Sequence, residues 1–522
     1  MIELSPIELV LGLLVVAIAL AYAARRIGIA YPILLVLGGL ALGFLPGLPA
    51  IELEPEVVFL LLLPPILFGA GYSTPIRDFK ANARPIGLLA IGLVLFTMAA
   101  VGVVANALVP ELGMAAAMAL GAIVAPPDAV AATSIFQRLH VPRRIVTILE
   151  GESLINDASA LIAYRFAVAA AVGTLFTPLD AGLAFLFAAV VGVLIGVVVG
   201  AIITESWRRT SDPTLEIMVS LIAPFAAYLP AETVGASGVL ATVVAGLIAG
   251  RRAARVLSPS ARLMGRGVWD IVTFLINGFA FILIGLQLSA ILEHLAPRSA
   301  VELVGLGVAV SLTAIVARIV WVFPATYLPR RLSARIRARD AYPPTNAVFV
   351  VSWAGMRGAV SLAAALALPR EVPERELLIF LTFCVIVATL VGQGLSLPWL
   401  IRRLGVVAGT GSESEEATGR LAAVDAAMTR LNGLAEEFPG HLELVDQLRA
   451  RFSHEIGHVP NAIEGPRDES EEELLEHLEI RNAVLAAERE AIIGLRDSGV
   501  ISDEVLRRIE RDLDLEALRS GA

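Results

Sequence analysis

The sequence predicts an all-α polytopic membrane protein with about 13 transmembrane helices and a small helical cytoplasmic tail. Composition is the first reason. The 522 residues are 57% hydrophobic and 17% charged, whereas soluble domains carry roughly 25% charged residues, and the mean hydropathy is +0.78. The second reason is that the apolar residues fall in long runs, and a membrane-spanning helix needs roughly 20 such residues.

Candidate spans occur throughout the first 403 residues. The connections between them are alternately rich in arginine and in acidic residues, so the positive-inside rule places the arginine-rich side in the cytoplasm. We therefore expect a multi-pass plasma (inner) membrane protein with its N-terminus outside and its C-terminus in the cytoplasm. The segment after Met1 lacks a basic n-region, which favours a retained span over a cleaved signal peptide. The candidate spans cover residues 6–24, 29–48, 55–74, 85–109, 114–136, 145–172, 180–204, 214–231, 235–250, 268–290, 300–327, 345–368 and 376–401.

Spans 5 and 12 are predicted to be interrupted. Pro126 and Pro127 remove backbone donors in span 5, and the segment from Gly355 to Gly358 lies near the middle of span 12. Irregular backbone at membrane depth is tolerated only where it is buried in protein or lines a polar cavity. The two spans run in opposite directions, and interrupted helices in inverted repeats are typical of transporter sites. The alternative is a pair of kinks that only assist packing.

The sixth span carries two carboxylates, Glu152 and Asp157. A charge at this depth costs at least ~2.5–3.5 kcal/mol and is a functional-site hypothesis by default. At ~100° per residue the two point about 140° apart, so Glu152 can pair with Arg318 of span 11. Asp157 is then left without a fixed partner and has to take up a proton or a cation.

Other polar groups surround this carboxylate in the predicted arrangement. Ser153, Asn156 and the backbone carbonyls freed by the proline pair supply hard oxygen ligands, which suit hard cations. Asp128 and Arg357, at the two interruptions, are placed to offset the partial charges of helix ends. Arg165 lies nearer the end of its helix, where we expect it to extend toward the interface.

These motifs resemble those of the monovalent cation/proton antiporter family, which includes NhaP-type bacterial sodium/proton antiporters and animal sodium/proton exchangers. The resemblance covers about residues 6–403. Its core is the Asn156-Asp157 signature, and further motifs support it: Leu63 to Ile66, Gly71-Tyr72, Pro127-Asp128, Arg318, and Gly355 to Ser361.

The resemblance implies a function and a role for each matching residue. Asp157 would bind the cation or the proton with help from Ser153, Asn156 and Asp128, while Glu152 and Arg318 would form a structural ion pair and Arg357 would lie at the helix crossover. It implies electroneutral exchange of H⁺ for a monovalent cation, with Na⁺ preferred and Li⁺ or K⁺ as alternatives, for pH and sodium homeostasis. The implied protein is a homodimer in a lipid bilayer, with a core bundle and a dimerisation bundle. It is a transporter and not an enzyme.

Two departures from the family pattern bear on selectivity. Gly69 stands in the third span where many members carry an acidic residue, and Pro127 stands where a threonine is common. We expect no cofactor, no metal other than the transported cation, and no nucleic acid partner. The one cysteine, Cys384, excludes an intrachain disulfide.

Residues 404–522 are predicted to form an acidic, helical cytoplasmic tail, either regulatory or a solvated appendage. It contains His454-Glu455-Ile456-Gly457-His458, which matches a zinc-protease motif. Gly457 and Pro460 argue against a long helix there, so solvent-exposed histidines are the simpler interpretation. The alternative function for the whole chain is a non-transporting ion or pH sensor that signals through this tail.

Overall fold

The computed structural model describes residues 6–45, 60–173, 178–295, 298–406 and 411–457, and scattered positions from 484 to 515. Regular structure in these residues is helical. The chain divides into two compact units, Met1–Val407 and Ala408–Ala522.

The described residues of the first half of the larger unit form nine α-helices. They are α1 (Pro6–Ile27), α2 (Tyr31–Gly43), α3 (Leu63–Ser73), α4 (Ile76–Ala81), α5 (Ala83–Gly87), α6 (Val94–Leu108), α7 (Gly113–Val124), α8 (Ala129–Leu139) and α9 (Arg143–Ala171). A π-helical segment, Leu88–Leu93, joins α5 to α6.

The described part of the second half contains ten α-helices. They are α10 (Pro178–Arg209), α11 (Pro213–Thr233), α12 (Gly238–Val256), α13 (Pro259–His294), α14 (Ala300–Leu332), α15 (Ala334–Arg339), α16 (Thr345–Trp353), α17 (Ala359–Leu366), α18 (Arg375–Val387) and α19 (Gly394–Leu404). A second π-helical segment, Ala388–Gln393, joins α18 to α19.

Helical structure is found in each of the predicted spans, although parts of the second and third lie outside the described residues. Within the described residues, nine helices are long and apolar enough to cross a membrane. The count of thirteen therefore stays a prediction. Helix α10 shows the kind of surface that a bilayer would cover, because Leu186, Leu194 and Ile202 are 57%, 57% and 62% exposed.

Glycines let α3 and α12 approach closely. A Cβ atom on Gly250 would lie 2.1 Å from the backbone oxygen of Tyr72, and one on Gly246 would lie 2.5 Å from that of Phe68. Small residues at such contacts allow backbone-to-backbone packing where the hydrophobic effect cannot drive helices together. This packing fixes α3, which carries Gly69, in position.

A charged network lies at the arginine-rich ends of α5, α9 and α14. The Asp340 carboxylate accepts hydrogen bonds from Arg84 at 2.5 Å, Arg144 at 2.6 Å and Arg330 at 2.6 Å. Burial opposes ionisation of Asp340, but the hydrogen bonds from Arg144 and Arg330 outweigh it and lower its pKa. The network therefore ties the three helices together while Asp340 is ionised.

The smaller unit contains α20 (Gly411–Glu437) and α21 (Leu442–Gly457). Leu431 on α20 and Val445 on α21 are both buried. The backbone of residues 454–457 forms the end of α21. Residues 458–460 lie outside the described residues, so the expectation that Gly457 and Pro460 prevent a long helix there stays a prediction. The side chain of His454 and all of His458 lie outside the described residues.

Candidate functional site

The two predicted interruptions are present, and they touch each other. Helix α7 ends at Val124 before α8 begins at Ala129, and α16 ends at Trp353 before α17 begins at Ala359. The backbone N–H of Asp128 donates to the carbonyl of Met356 at 2.6 Å. Backbone groups freed by one interruption are thus partly satisfied by the other, as irregular backbone at membrane depth requires.

Asp128 caps the N-terminus of α8. Its backbone is extended and its carboxylate accepts a hydrogen bond from the Val130 N–H at 2.8 Å. A carboxylate at this position is stabilised by the positive end of the helix dipole. Gly358 packs directly against it, since a Cβ on Gly358 would lie 1.8 Å from Asp128 Oδ2. Any side chain at residue 358 would displace the carboxylate.

Arg357 caps the opposite kind of helix end. Its side chain is 1% exposed, and Nε donates to the carbonyl of Val124 at 2.9 Å. It also donates to the carbonyl of Gly355. Val124 is the last residue of α7, so the guanidinium offsets the partial negative charge of that C-terminus. The sequence predicted such a role without saying which helix end each charge would meet.

The predicted partners Glu152 and Arg318 form a buried ion pair. Arg318 Nη1 and Nη2 donate to Glu152 Oε1 and Oε2 at 2.5 and 2.8 Å, and the two residues are 1% and 0% exposed. Arg318 also donates to the carbonyl of Val351 from Nε and Nη2. A bidentate geometry with further hydrogen bonds is what a buried pair needs to offset desolvation.

Asp157 lies on the other side of α9 and lines a cavity of about 970 Å³, together with Asp128, Ser153 and Pro127. Its side chain is 7% exposed. The Ser153 hydroxyl donates to the carbonyl of Pro127 at 3.3 Å, which brings the interruption and α9 together. Within the described residues, the structure gives the Asp157 carboxylate no hydrogen bond or ion pair. Two carboxylates, a hydroxyl and a backbone carbonyl therefore surround one space, a ligand set that suits a hard cation.

Asn156 does not join this group. It is fully buried, it is not among the residues that line the cavity, and both polar atoms of its amide lack a hydrogen-bond partner in the described part of the chain. The structure thus separates Asn156 from the space in front of Asp157.

Several polar residues in the cavity wall were missed in the sequence. Glu150 precedes Ser153 by three residues and Asp157 by seven, so it shares their helix face; Glu216, Asp270 and Asn277 line the cavity from α11 and α13. The spacing within α9 was a signal that could have identified Glu150. The sequence spacing within α13 does not indicate that its residues line the same cavity as those of α9.

The cavity extends toward the arginine-rich helix ends, where Arg25, Arg262 and Arg266 line it. Toward the acidic ends, Arg165 on α9 pairs with Glu232 on α11 at 2.7 Å. Arg165 is half exposed, as expected for a residue near its helix end, and its partner is now identified. This ion pair connects two helices beyond Asp157 on the side away from the arginines.

Gly69 also lines the cavity. A Cβ there would lie 3.6 Å from the ring of Trp269 and 4.0 Å from Thr273 Oγ1, which are ordinary contacts. Among the described residues no group of three or more His, Cys, Asp or Glu could hold a metal ion. The candidate site is therefore the Asp157 cavity.

Comparisons with known proteins identify the family of this chain. The profile of the family described as "Sodium/hydrogen exchanger, transmembrane" matches residues 12–403. An uncharacterized Na⁺/H⁺ exchanger of Mycobacterium tuberculosis is 34% identical over 98% of this chain and 96% of its own length. A sodium, potassium, lithium and rubidium/H⁺ antiporter of Bacillus subtilis is 33% identical over 76% of this chain and 61% of its own length.

The fold has a solved counterpart. The structure of the sodium proton antiporter MjNhaP1 from Methanocaldococcus jannaschii matches with a TM-score of 0.60 at 19% identity, over 76% of this chain and 98% of that one. This similarity concerns the fold, whereas the profile match and the identity to the mycobacterial protein establish the family. The chain belongs to the sodium/hydrogen exchanger family of membrane transporters.

Proposed function

We propose that this protein exchanges a monovalent cation for H⁺ across the plasma membrane, and that the carboxylate of Asp157 carries either ion in turn. The observation that carries the proposal is the Asp157 side chain, which lines the cavity with no partner among the described residues. Ser153, Asp128 and the Pro127 carbonyl supply further oxygens around the same space.

Competition at one carboxylate is sufficient for antiport. A desolvated carboxylate is unstable as a bare anion, so it binds either a proton or a cation. If the site reaches the other side of the membrane only when one of them is bound, each transfer of a cation in one direction is matched by a proton in the other. Glu152 takes no part in this exchange, because its charge is compensated by Arg318.

In our proposal, the ion-binding site faces the cytoplasm in this conformation, and the position of the cavity mouth supports this orientation. The mouth is lined by arginines from the connections that the positive-inside rule assigns to the cytoplasm, which corresponds to an external N-terminus and a cytoplasmic C-terminus. In our proposal, the site becomes accessible from outside by an elevator-like movement in which the touching interruptions of spans 5 and 12 travel with α9. The Arg165–Glu232 pair would then have to separate. We further propose that the protein works as a homodimer in pH and sodium homeostasis.

We propose Na⁺ as the principal cation, with Li⁺ and K⁺ also accepted. Gly69 offers no carboxylate to the site, and Pro127 offers only its backbone oxygen. Broad acceptance is consistent with the name of the Bacillus subtilis relative, a sodium, potassium, lithium and rubidium/H⁺ antiporter.

Transport is tested in proteoliposomes with an imposed pH gradient. Addition of Na⁺, Li⁺ or K⁺ is expected to dissipate the gradient in the wild type and to have no effect with Asp157→Asn. Ile271→Ala, at a side chain 62% exposed on the outer surface of α13, serves as the control. Binding of cations without any flux by folded wild-type protein would contradict antiport and would favour the sensor.

A further inference from the structure

Helix α13 contributes a polar face to the cavity that none of the interactions above explains. Asp270, Thr273 and Asn277 are separated by three and four residues, so they lie on one side of the helix. All three line the same cavity as Asp157. Asp270 lies two helical turns nearer the arginine-rich end than Asn277, and it is exposed.

Asn277 is the deepest of the three and is unsatisfied. Its side chain is 3% exposed, and its amide nitrogen is buried without a hydrogen-bond partner in the described residues. Leaving such a group unpaired costs about 1–3 kcal/mol, so its presence needs an explanation. The amide oxygen is the atom that can ligate a cation, because the N–H₂ group is a donor, and the oxygen is not among the buried unpaired atoms of the described residues.

The polar face of α13 stands opposite Gly69, one of the two glycines of α3. Thr273 Oγ1 and the Trp269 ring are the groups that a Cβ on Gly69 would meet, at 4.0 and 3.6 Å. Helix α3 therefore supplies no side-chain oxygen at Gly69. Side-chain oxygens beside this position come from Thr273 on α13 and from Ser73, whose hydroxyl donates to the Gly69 carbonyl at 2.9 Å.

We propose that Asn277 is a cation ligand and a determinant of cation selectivity, with its amide oxygen completing the set formed by Asp157, Ser153 and Asp128. This inference rests on the proposed function and assigns one more residue to the same site. A neutral amide oxygen has a weaker field than a carboxylate, and weaker ligands discriminate less strongly in favour of small cations. Asn277 therefore broadens acceptance toward K⁺, and Asp270 attracts cations toward the site from the mouth.

The test compares apparent KM values for Na⁺, Li⁺ and K⁺ in proteoliposomes. Asn277→Ala is expected to raise the KM for K⁺ about tenfold, the effect of losing roughly 1.4 kcal/mol of binding, with little change in maximal rate. Asn277→Asp, which keeps the size of the side chain, is expected to shift preference toward Na⁺ and Li⁺. Leu275→Ala on the same helix, outside the cavity lining, is expected to leave all three KM values unchanged.

The outcomes separate this inference from the proposed function. If Asn277→Ala transports with all KM values within twofold of wild type, the amide is satisfied by water alone and the inference is wrong, while antiport stands. If Asn277→Ala does not accumulate as folded protein, Asn277→Asp decides, and an unchanged cation preference overturns the inference. Absence of cation-dependent flux in the wild type would refute the proposed function itself.

Discussion

The Glu152–Arg318 pair gives the sharpest prediction about stability. In the Glu152→Gln variant the carboxylate becomes a neutral amide of similar shape. The amide oxygen can accept one of the two guanidinium hydrogen bonds, and the amide N–H₂ then faces the other donor. Arg318 keeps its contacts to the Val351 carbonyl, but its charge is left uncompensated at a position 1% exposed.

Removal of one partner from a buried ion pair typically costs about 3–5 kcal/mol, whereas replacing both by apolar residues of similar size is often neutral or stabilising by about 1–4 kcal/mol. We therefore expect Glu152→Gln to lower the thermal unfolding midpoint of the purified protein in detergent substantially. The double variant Glu152→Leu/Arg318→Met should recover most of that loss.

Asp157→Asn is the matched control, since it makes the same chemical change on the same helix at a carboxylate that has no partner among the described residues. Its unfolding midpoint should equal or exceed that of the wild type. The reasoning would be refuted if Glu152→Gln unfolded at the wild-type temperature, or if the double variant were as unstable as Arg318→Met alone.

Three further changes test other parts of the structure. Gly358→Ala should abolish transport, because its Cβ would collide with the Asp128 carboxylate; normal flux would show that this contact does not hold the site. Gly69→Asp should fold normally, because its Cβ meets only ordinary contacts with Trp269, and should lower the KM for Na⁺ relative to K⁺; an unchanged KM ratio would mean that residue 69 is remote from the cation. Asp340→Asn should lower the unfolding midpoint by the equivalent of about 1–3 kcal/mol by removing charged hydrogen bonds. The pKa of Asp340 is lower in the folded state than in the unfolded state, where it is about 3.9. The stabilisation by Asp340 is therefore fully present above the unfolded-state pKa and is lost as the pH falls through the folded-state pKa. A difference in unfolding midpoint between wild type and Asp340→Asn that grew on acidification would contradict the network.

Much of the site could be predicted because the evidence was local to one helix. The proline pair and the glycine-rich segment each interrupt a helix wherever they occur. The angle between Glu152 and Asp157 follows from the helical period, and it correctly assigned one carboxylate to a partner and left the other free. Because a buried arginine such as Arg318 needs a counter-ion, its partner had to be a carboxylate within the spans.

The remainder depended on how helices face one another. Asn277 and Asp270 line the cavity only because α13 is rotated so that this face points into it, and no pattern in residues 259–294 predicts that rotation. Asn156 illustrates the opposite case, since it neighbours Asp157 in sequence but lies on a different side of the helix. Arg357 caps α7 across more than 230 residues of chain, a contact that only the meeting of the two interruptions creates.

The central claim is that one carboxylate binds the cation and the proton in competition, and proton release measures this directly. Weakly buffered, purified protein would be mixed with Na⁺ while the pH is recorded, and the apparent cation Kd would be measured over a pH series. The account predicts about one proton released per site, a Kd that rises about tenfold for each unit of acidification while the site is mainly protonated, and no release from Asp157→Asn. Cation binding without proton release, or undiminished release from Asp157→Asn, would contradict it.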